Sequence, residues 1–145
     1  MSTAEQFKGT VVTGVIGEDV HITGIRILEH ALEAAGFKVA SLGIHTSHED
    51  FVNAARETNA DAILISSLAG HARAMASGLK EKCLEAGLKN VRLYIGGFLA
   101  VDEPKWEDTV KTFTDLGFDR VYSPSTLPGK VIVDLEADVH AGKKS

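Results

Sequence analysis

The chain has 145 residues, of which 44% are hydrophobic and 24% charged, proportions that fit one globular domain, spanning 1–145, with a single well-buried core. Its net charge of −5 argues against nucleic acid or an anionic membrane as the main partner, since both attract a basic face. A lone cysteine, Cys83, cannot close an internal disulfide, and neither a signal peptide nor an apolar run of membrane-spanning length is visible, so the expected location is the cytoplasm.

Thr10-Val11-Val12-Thr13-Gly14-Val15-Ile16 is an apolar run that reads as a buried strand. After the loop Gly17–Ile22, the residues Ile25, Leu28, Leu32 and Ala35 recur at helical spacing and predict a helix over 23–35. Ala35-Gly36-Phe37 supplies a stop, and a strand is predicted over 37–42. Ser47, with Asp50 three residues on, caps a helix over 48–58 that Asn59 ends. Ala62-Ile63-Leu64-Ile65 marks a third strand, 61–66, closed by Ser66-Ser67-Leu68. Ala72, Met75, Leu79, Cys83 and Ala86 align as one face of a helix over 72–86, stopped by Ala86-Gly87-Leu88. Val91–Ile95 is a fourth strand, closed by Gly96-Gly97. Trp106, Val110, Phe113 and Leu116 form the core stripe of a helix over 104–116, which Leu116-Gly117-Phe118 ends. A strand over 119–122 and a helix over 127–139 complete the series, with His140–Ser145 expected to fray and an ordered core over 9–139. Five βα units with short connections specify an α/β fold: a flavodoxin-like, doubly wound, five-stranded parallel sheet of order 2-1-3-4-5.

The most informative residues lie in the first loop. Open α/β sheets bind ligands beyond the carboxyl ends of their strands, and His21 stands in such a place. Asp19 can accept the proton of one ring nitrogen, which leaves the other electron-rich for a metal. Taken alone, such a pair is also an ordinary surface contact. The rival uses of the fold fail at the residues that would perform them. A flavin-phosphate loop would not carry the carboxylates of Glu18 and Asp19. A phosphate-accepting receiver needs an aspartate where Ser66 and Ser67 stand, and Gly14-Val15-Ile16-Gly17 is no dinucleotide fingerprint. His45 and His48 read as solvated loop residues, His30 as a helix-face residue and His140 as part of the tail. His71 follows the Ser-Ser-Leu loop and reads as a surface residue that can also face a cofactor or partner.

Asp19-Val20-His21-Ile22-Thr23-Gly24 matches the Asp-x-His-x-x-Gly signature of proteins that bind cobalamin through histidine, and Ser66-x-Leu68 and Gly96-Gly97 follow in the same order. Over about residues 9 to 139 the chain resembles the small, cobalamin-binding subunits of glutamate mutase (methylaspartate mutase). The likeness extends to Ala60-Asp61-Ala62-Ile63-Leu64 and to Gly117-Phe118-Asp119-Arg120-Val121-Tyr122. It implies adenosylcobalamin as cofactor, with His21 as the axial ligand of cobalt, Asp19 orienting its ring, and Glu18, Val20 and Ile22 in the same binding loop. It further implies that Gly24 lets the helix start close to the benzimidazole tail, that Ser66 hydrogen-bonds the tail, and that Ser67 and Leu68 pack nearby. Gly96 and Gly97 would let the tail pass close to backbone, and Phe98, Leu99, Ala100, Val101 and Asp102 would border the corrin. The implied reaction is the radical rearrangement of L-glutamate to threo-3-methylaspartate, with the substrate site on a large barrel-fold partner subunit and this chain inactive alone. Two rim segments, Ala69-Gly70-His71-Ala72-Arg73 and Phe98, depart from that family's pattern. They keep open a small subunit of an acyl-CoA mutase, and a non-enzymatic cobalamin carrier or sensor, as alternatives. A corrinoid methyltransferase protein fits less well, because its cobalamin domain usually follows a helical module for which the chain before the first strand has no room.

Overall fold

The computed structural model describes residues 8–15, 23–43, 46–66, 76–96, 106–122 and 127–144. Strand and helix alternate along them: β1 (Thr10–Val15), α1 (Thr23–Ala34), β2 (Lys38–Ser41), α2 (His48–Thr58), β3 (Ala62–Ser66), α3 (Leu79–Glu85), β4 (Arg92–Gly96), α4 (Trp106–Asp115), β5 (Arg120–Val121) and α5 (Pro128–Lys144). The strands form one parallel sheet in the order β2-β1-β3-β4-β5, as the alternation of apolar runs and amphipathic stretches predicts.

Side chains alternate across each strand and so sort into two cores. On one face Val12, Ile63, Ile65, Leu93 and Ile95 meet Phe51 of α2, Leu79 and Cys83 of α3, and Phe113 of α4. On the other, Val11, Val15, Leu64 and Tyr94 meet Ile25 and Leu32 of α1 and Val131, Leu135 and Val139 of α5. Removing each large aliphatic side chain from water stabilises the fold by about 1.5–3 kcal/mol. The division has a topological cause. The first crossover runs from β1 to one edge and the later ones run to the other, so right-handed connections place their helices on opposite faces.

Helix ends follow the local rules. Gly36, Gly87 and Gly117 have φ of +103°, +85° and +107°. The apolar residue after each donates its N–H five residues back, Phe37 to Leu32, Leu88 to Cys83 and Phe118 to Phe113, at 3.0, 2.8 and 3.1 Å. Asn59, at φ 54°, ends α2 in the same manner, and Ser47 and Asp50 form a reciprocal capping box at its start.

The structure departs from the sequence expectation in two places. The helix expected over 72–86 is interrupted, because Gly78 takes φ +92° and α3 starts at Leu79; Ala72 and Met75 of its expected face lie outside the described residues. The tail expected to fray instead continues α5 to Lys144.

A Cβ on Gly117 would lie 2.6 Å from Lys80 Cβ, at a φ that L residues rarely adopt. Gly117→Ala is expected to destabilise the fold by about 1–3 kcal/mol, read as a lower urea midpoint at unchanged slope. Gly129 lies in the first turn of α5, where a Cβ would meet nothing within 4 Å, so Gly129→Ala should stabilise the fold by up to about 1 kcal/mol and raise the midpoint.

Candidate functional site

Register decides where the motif-bearing loops leave the sheet. Val15 at the end of β1 pairs with Ser66 at the end of β3, and Ser66 pairs with Gly96 at the end of β4. Tyr122 comes next, its N–H on the Ile95 carbonyl at 2.8 Å and its Cβ 3.3 Å from where a Cβ on Gly96 would stand. Val15, Ser66, Gly96 and Tyr122 thus form one row on the α1/α5 face, at the carboxyl edge. One row inward the same face carries Thr13, Leu64, Tyr94 and Arg120. Side-chain size therefore falls from Leu64 to Ser66 and from Tyr94 to Gly96 as the strands reach that edge.

The end of β1 is held firmly. Val15 N–H donates to the Gly43 carbonyl at 2.8 Å, and Thr46 N–H donates to the Val15 carbonyl at 3.0 Å. On the opposite face a Cβ on Gly14 would lie 2.9 Å from both Phe51 Cε1 and Thr46 Oγ1. Only glycine lets α2 and the segment after β2 close so tightly on this strand.

Buried polar pairs anchor both helices of this face to the sheet. Thr13 Oγ1 donates to Glu29 of α1, whose other oxygen takes Arg26 Nη1 at 3.2 Å. On α5, Asp138 accepts Arg120 through Nε at 2.8 Å and Nη2 at 3.0 Å, together with the Tyr94 hydroxyl. One turn earlier Asp134 accepts the Tyr122 hydroxyl at 2.9 Å and Lys130 Nζ at 3.1 Å. Burial, followed by the adjoining carboxylates, pushes both tyrosines well above the usual phenol range, so they remain donors. Arg120 holds the Asp138 carboxyl below its ordinary value, against partial burial that raises it, and the Tyr94 hydroxyl adds to the lowering. Spacing singles out none of these pairs in advance, though Lys130, Asp134 and Asp138 do recur at i, i+4 along α5.

Of the residues singled out by sequence, Ser66 and Gly96 stand half-buried in the edge row and Gly24 lies in the first turn of α1. Glu18, Asp19, Val20, His21, Ile22, Ser67, Leu68, Gly97, Phe98, Leu99, Ala100, Val101 and Asp102 lie outside the described residues, as do His45 and His71. Among the described residues no group of three His, Cys, Asp or Glu side chains could hold a metal ion, and no helix is long and apolar enough to cross a membrane. A corrinoid with a nucleotide tail fits what the edge row offers. Ser66 and Gly96 in the middle of that row are small, and no described residue engages the hydroxyl of Ser66.

The B12-binding domain family matches residues 9–119. The glutamate mutase sigma subunit of Clostridium tetani is 50% identical over 133 residues, covering 92% of this chain and 97% of that one. The glutamate mutase sigma subunit 2 of Haloarcula marismortui is 51% identical over 130 residues, covering 90% and 87%. Among solved structures, a cobalamin-binding protein from Desulfitobacterium hafniense superposes with a TM-score of 0.73 at 22% identity over 90% of this chain. This chain spans 58% of that protein's length, and the likeness establishes the fold.

The Arg120–Asp138 pair has a pH signature. A carboxyl with a depressed native pKa contributes stability that is complete above its unfolded value of about 3.9 and is lost as pH falls through the native one. Between about pH 5 and about pH 3 the urea midpoint of the wild type should therefore fall more steeply than that of Asp138→Asn.

Proposed function

We propose that this chain, which belongs to the B12-binding domain family and within it to the glutamate mutase sigma subunits, is the cobalamin-binding part of a glutamate mutase. The observation that carries this reading is 50% identity extending over 92% of the chain and 97% of the relative. The level ends of β1, β3 and β4 support it, since the His21 loop, Ser66-Ser67-Leu68 and Gly96-Gly97 all leave from that one edge.

In this reading His21 would hold the cobalt of the corrinoid through one ring nitrogen. Asp19 accepts the proton on the other ring nitrogen, which fixes the tautomer and strengthens donation to the metal. Ser66 offers its hydroxyl to the benzimidazole, Gly24, Gly96 and Gly97 admit the tail close to backbone, and Glu18, Val20, Ile22, Ser67 and Leu68 complete the lining. Residues Phe98 to Asp102 border the corrin. Adenosylcobalamin, when bound, supplies the radical chemistry that interconverts L-glutamate and threo-3-methylaspartate. This chain places and tunes the cofactor. A large barrel-fold subunit holds the substrate and shields the reacting centre from water. In keeping with that division, Arg26, Arg56 and Arg120 among the described residues are committed to Glu29, Asn53 and Asp138 on different elements. The buried Cys83 thiol and the net charge of −5 are consistent with a cytoplasmic site of action.

Spectroscopy tests the ligand assignment directly. With the cofactor bound and cobalt in the Co(II) state, paramagnetic resonance should show coupling to a histidine nitrogen that His21→Ala abolishes; retained benzimidazole coordination in the wild type would exclude His21. Asp19→Asn should fold normally and lose roughly 10–100-fold in affinity or turnover.

Assay of the chain with adenosylcobalamin, with and without the large subunit, tests the division of labour. Methylaspartate should form only with both subunits present. Turnover by this chain alone would overturn the reading, and activity solely with an acyl-CoA mutase subunit would reassign the substrate.

A further inference from the structure

We infer that Asp134, acting through Tyr122, is a positioning residue for the corrinoid's nucleotide tail: it fixes the start of α5 beside the edge row that takes the tail. The inference rests on the cobalamin-binding reading above and concerns residues that reading leaves without a role.

Tyr122 completes the row Val15, Ser66, Gly96, and its Cβ lies 3.3 Å from where a Cβ on Gly96 would stand on the α1/α5 face. Its ring is held from two sides. Tyr94 meets it edge-on, with centroids 5.9 Å apart and planes at 65°. At the far end its hydroxyl donates to Asp134 Oδ2 at 2.9 Å. Asp134 is only 6% exposed, although nothing about its place on an amphipathic helix requires burial. Its second oxygen takes Lys130 Nζ at 3.1 Å and lies 3.5 Å from Arg120 Nη1. A buried carboxylate so fully engaged holds one geometry, since leaving any partner unpaired in low dielectric is costly.

The anchor lies between the first two buried apolar residues of α5, Val131 and Leu135. Leu127, just before the helix, is 74% exposed, and Val133 is 61% exposed. The first apolar residue of α5 to reach the core is Val131. Through the opening turns the helix is tied to the sheet by Val131, Ile132 and Leu135, and the Asp134–Tyr122 bond adds the directional contact there. Asp138 fastens the next turn to the row beneath, through Tyr94 and Arg120. Loosening Asp138 frees the turn bonded to Tyr94 and Arg120; loosening Asp134 releases the turn bonded to Tyr122, whose Cβ stands beside Gly96. The tail-binding contribution should therefore depend on Asp134, and corrin binding should not.

The test compares the full chain's affinity for adenosylcobalamin and for adenosylcobinamide, which lacks the nucleotide tail. Tyr122→Phe deletes only the hydroxyl, and Asp134→Ala deletes its acceptor. Each should weaken adenosylcobalamin binding measurably, by up to about tenfold where the whole worth of the buried hydrogen bond is coupled to tail binding, and leave adenosylcobinamide binding within about twofold. Asp134→Asn keeps an acceptor for the tyrosine and should bind adenosylcobalamin nearly as the wild type does. Equal loss for both corrinoids, or no loss for adenosylcobalamin in a folded Tyr122→Phe variant, would overturn the inference. Should Asp134→Ala not fold, the Tyr122→Phe and Asp134→Asn pair still decides it. Failure of the wild type to bind either corrinoid would instead sink the cobalamin-binding reading itself.

Discussion

Parallel register at the reversal of strand order is the constraint on which the rest depends. Because β2 and β3 flank β1 on opposite sides, the chain leaving β1 and the chain leaving β3 turn to opposite faces. The strands meet at a reversal of order, and the carboxyl edge there is where doubly wound sheets take ligands. Ladder pairing then brings Val15, Ser66 and Gly96 level, so three segments distant in sequence begin side by side. A slip of one residue in any strand would send its edge side chain to the opposite face. The close approach of Phe51 and Thr46 to Gly14, and the backbone bonds from Gly43 and to Thr46, guard β1 against that slip.

The two faces are held by different physics. Under α2, α3 and α4 the core is apolar, with Phe51, Leu79, Phe113 and Phe118 packed on branched strand residues. Such packing is non-directional and needs only volume and pattern. Under α1 and α5 apolar packing is joined by directional bonds: Thr13 to Glu29, Tyr94 and Arg120 to Asp138, and Tyr122 to Asp134. Buried carboxylates add little net stability beside an apolar alternative, but they penalise misplacement heavily. Directional anchors thus lie on the α1/α5 face, and volume-filling packing on the other.

Family membership and geometry bear on function in complementary ways. Identity near half over nearly the whole chain assigns the family, whereas shared architecture alone would not, because one fold serves unrelated chemistries. The residues at the strand ends separate those chemistries. A serine closes β3 and a glycine closes β4, which suits a bulky ligand lying against backbone and does not suit phosphoryl acceptance on an aspartate.

What the sequence determined unaided were the features governed by neighbours a few residues apart. The glycine stops at Gly36, Gly87 and Gly117, the Asn59 cap and the Ser47–Asp50 box form between positions three to five apart, so residue identity suffices. Apolar periodicity likewise revealed the five strands, their order and the buried faces of the helices. The same reasoning misjudged Gly78, whose positive φ interrupts a continuous apolar stripe, and the tail, where α5 runs on to Lys144. Only the tertiary structure decided which polar residues meet. Glu29 lies 16 residues from Thr13, and Asp138 lies 18 from Arg120 and 44 from Tyr94. Helical spacing places Asp134 and Asp138 on one stripe, but that stripe is solvated or buried according to what the sheet brings opposite it. A carboxylate's partner is set by the register of distant strands, and no local pattern encodes that register.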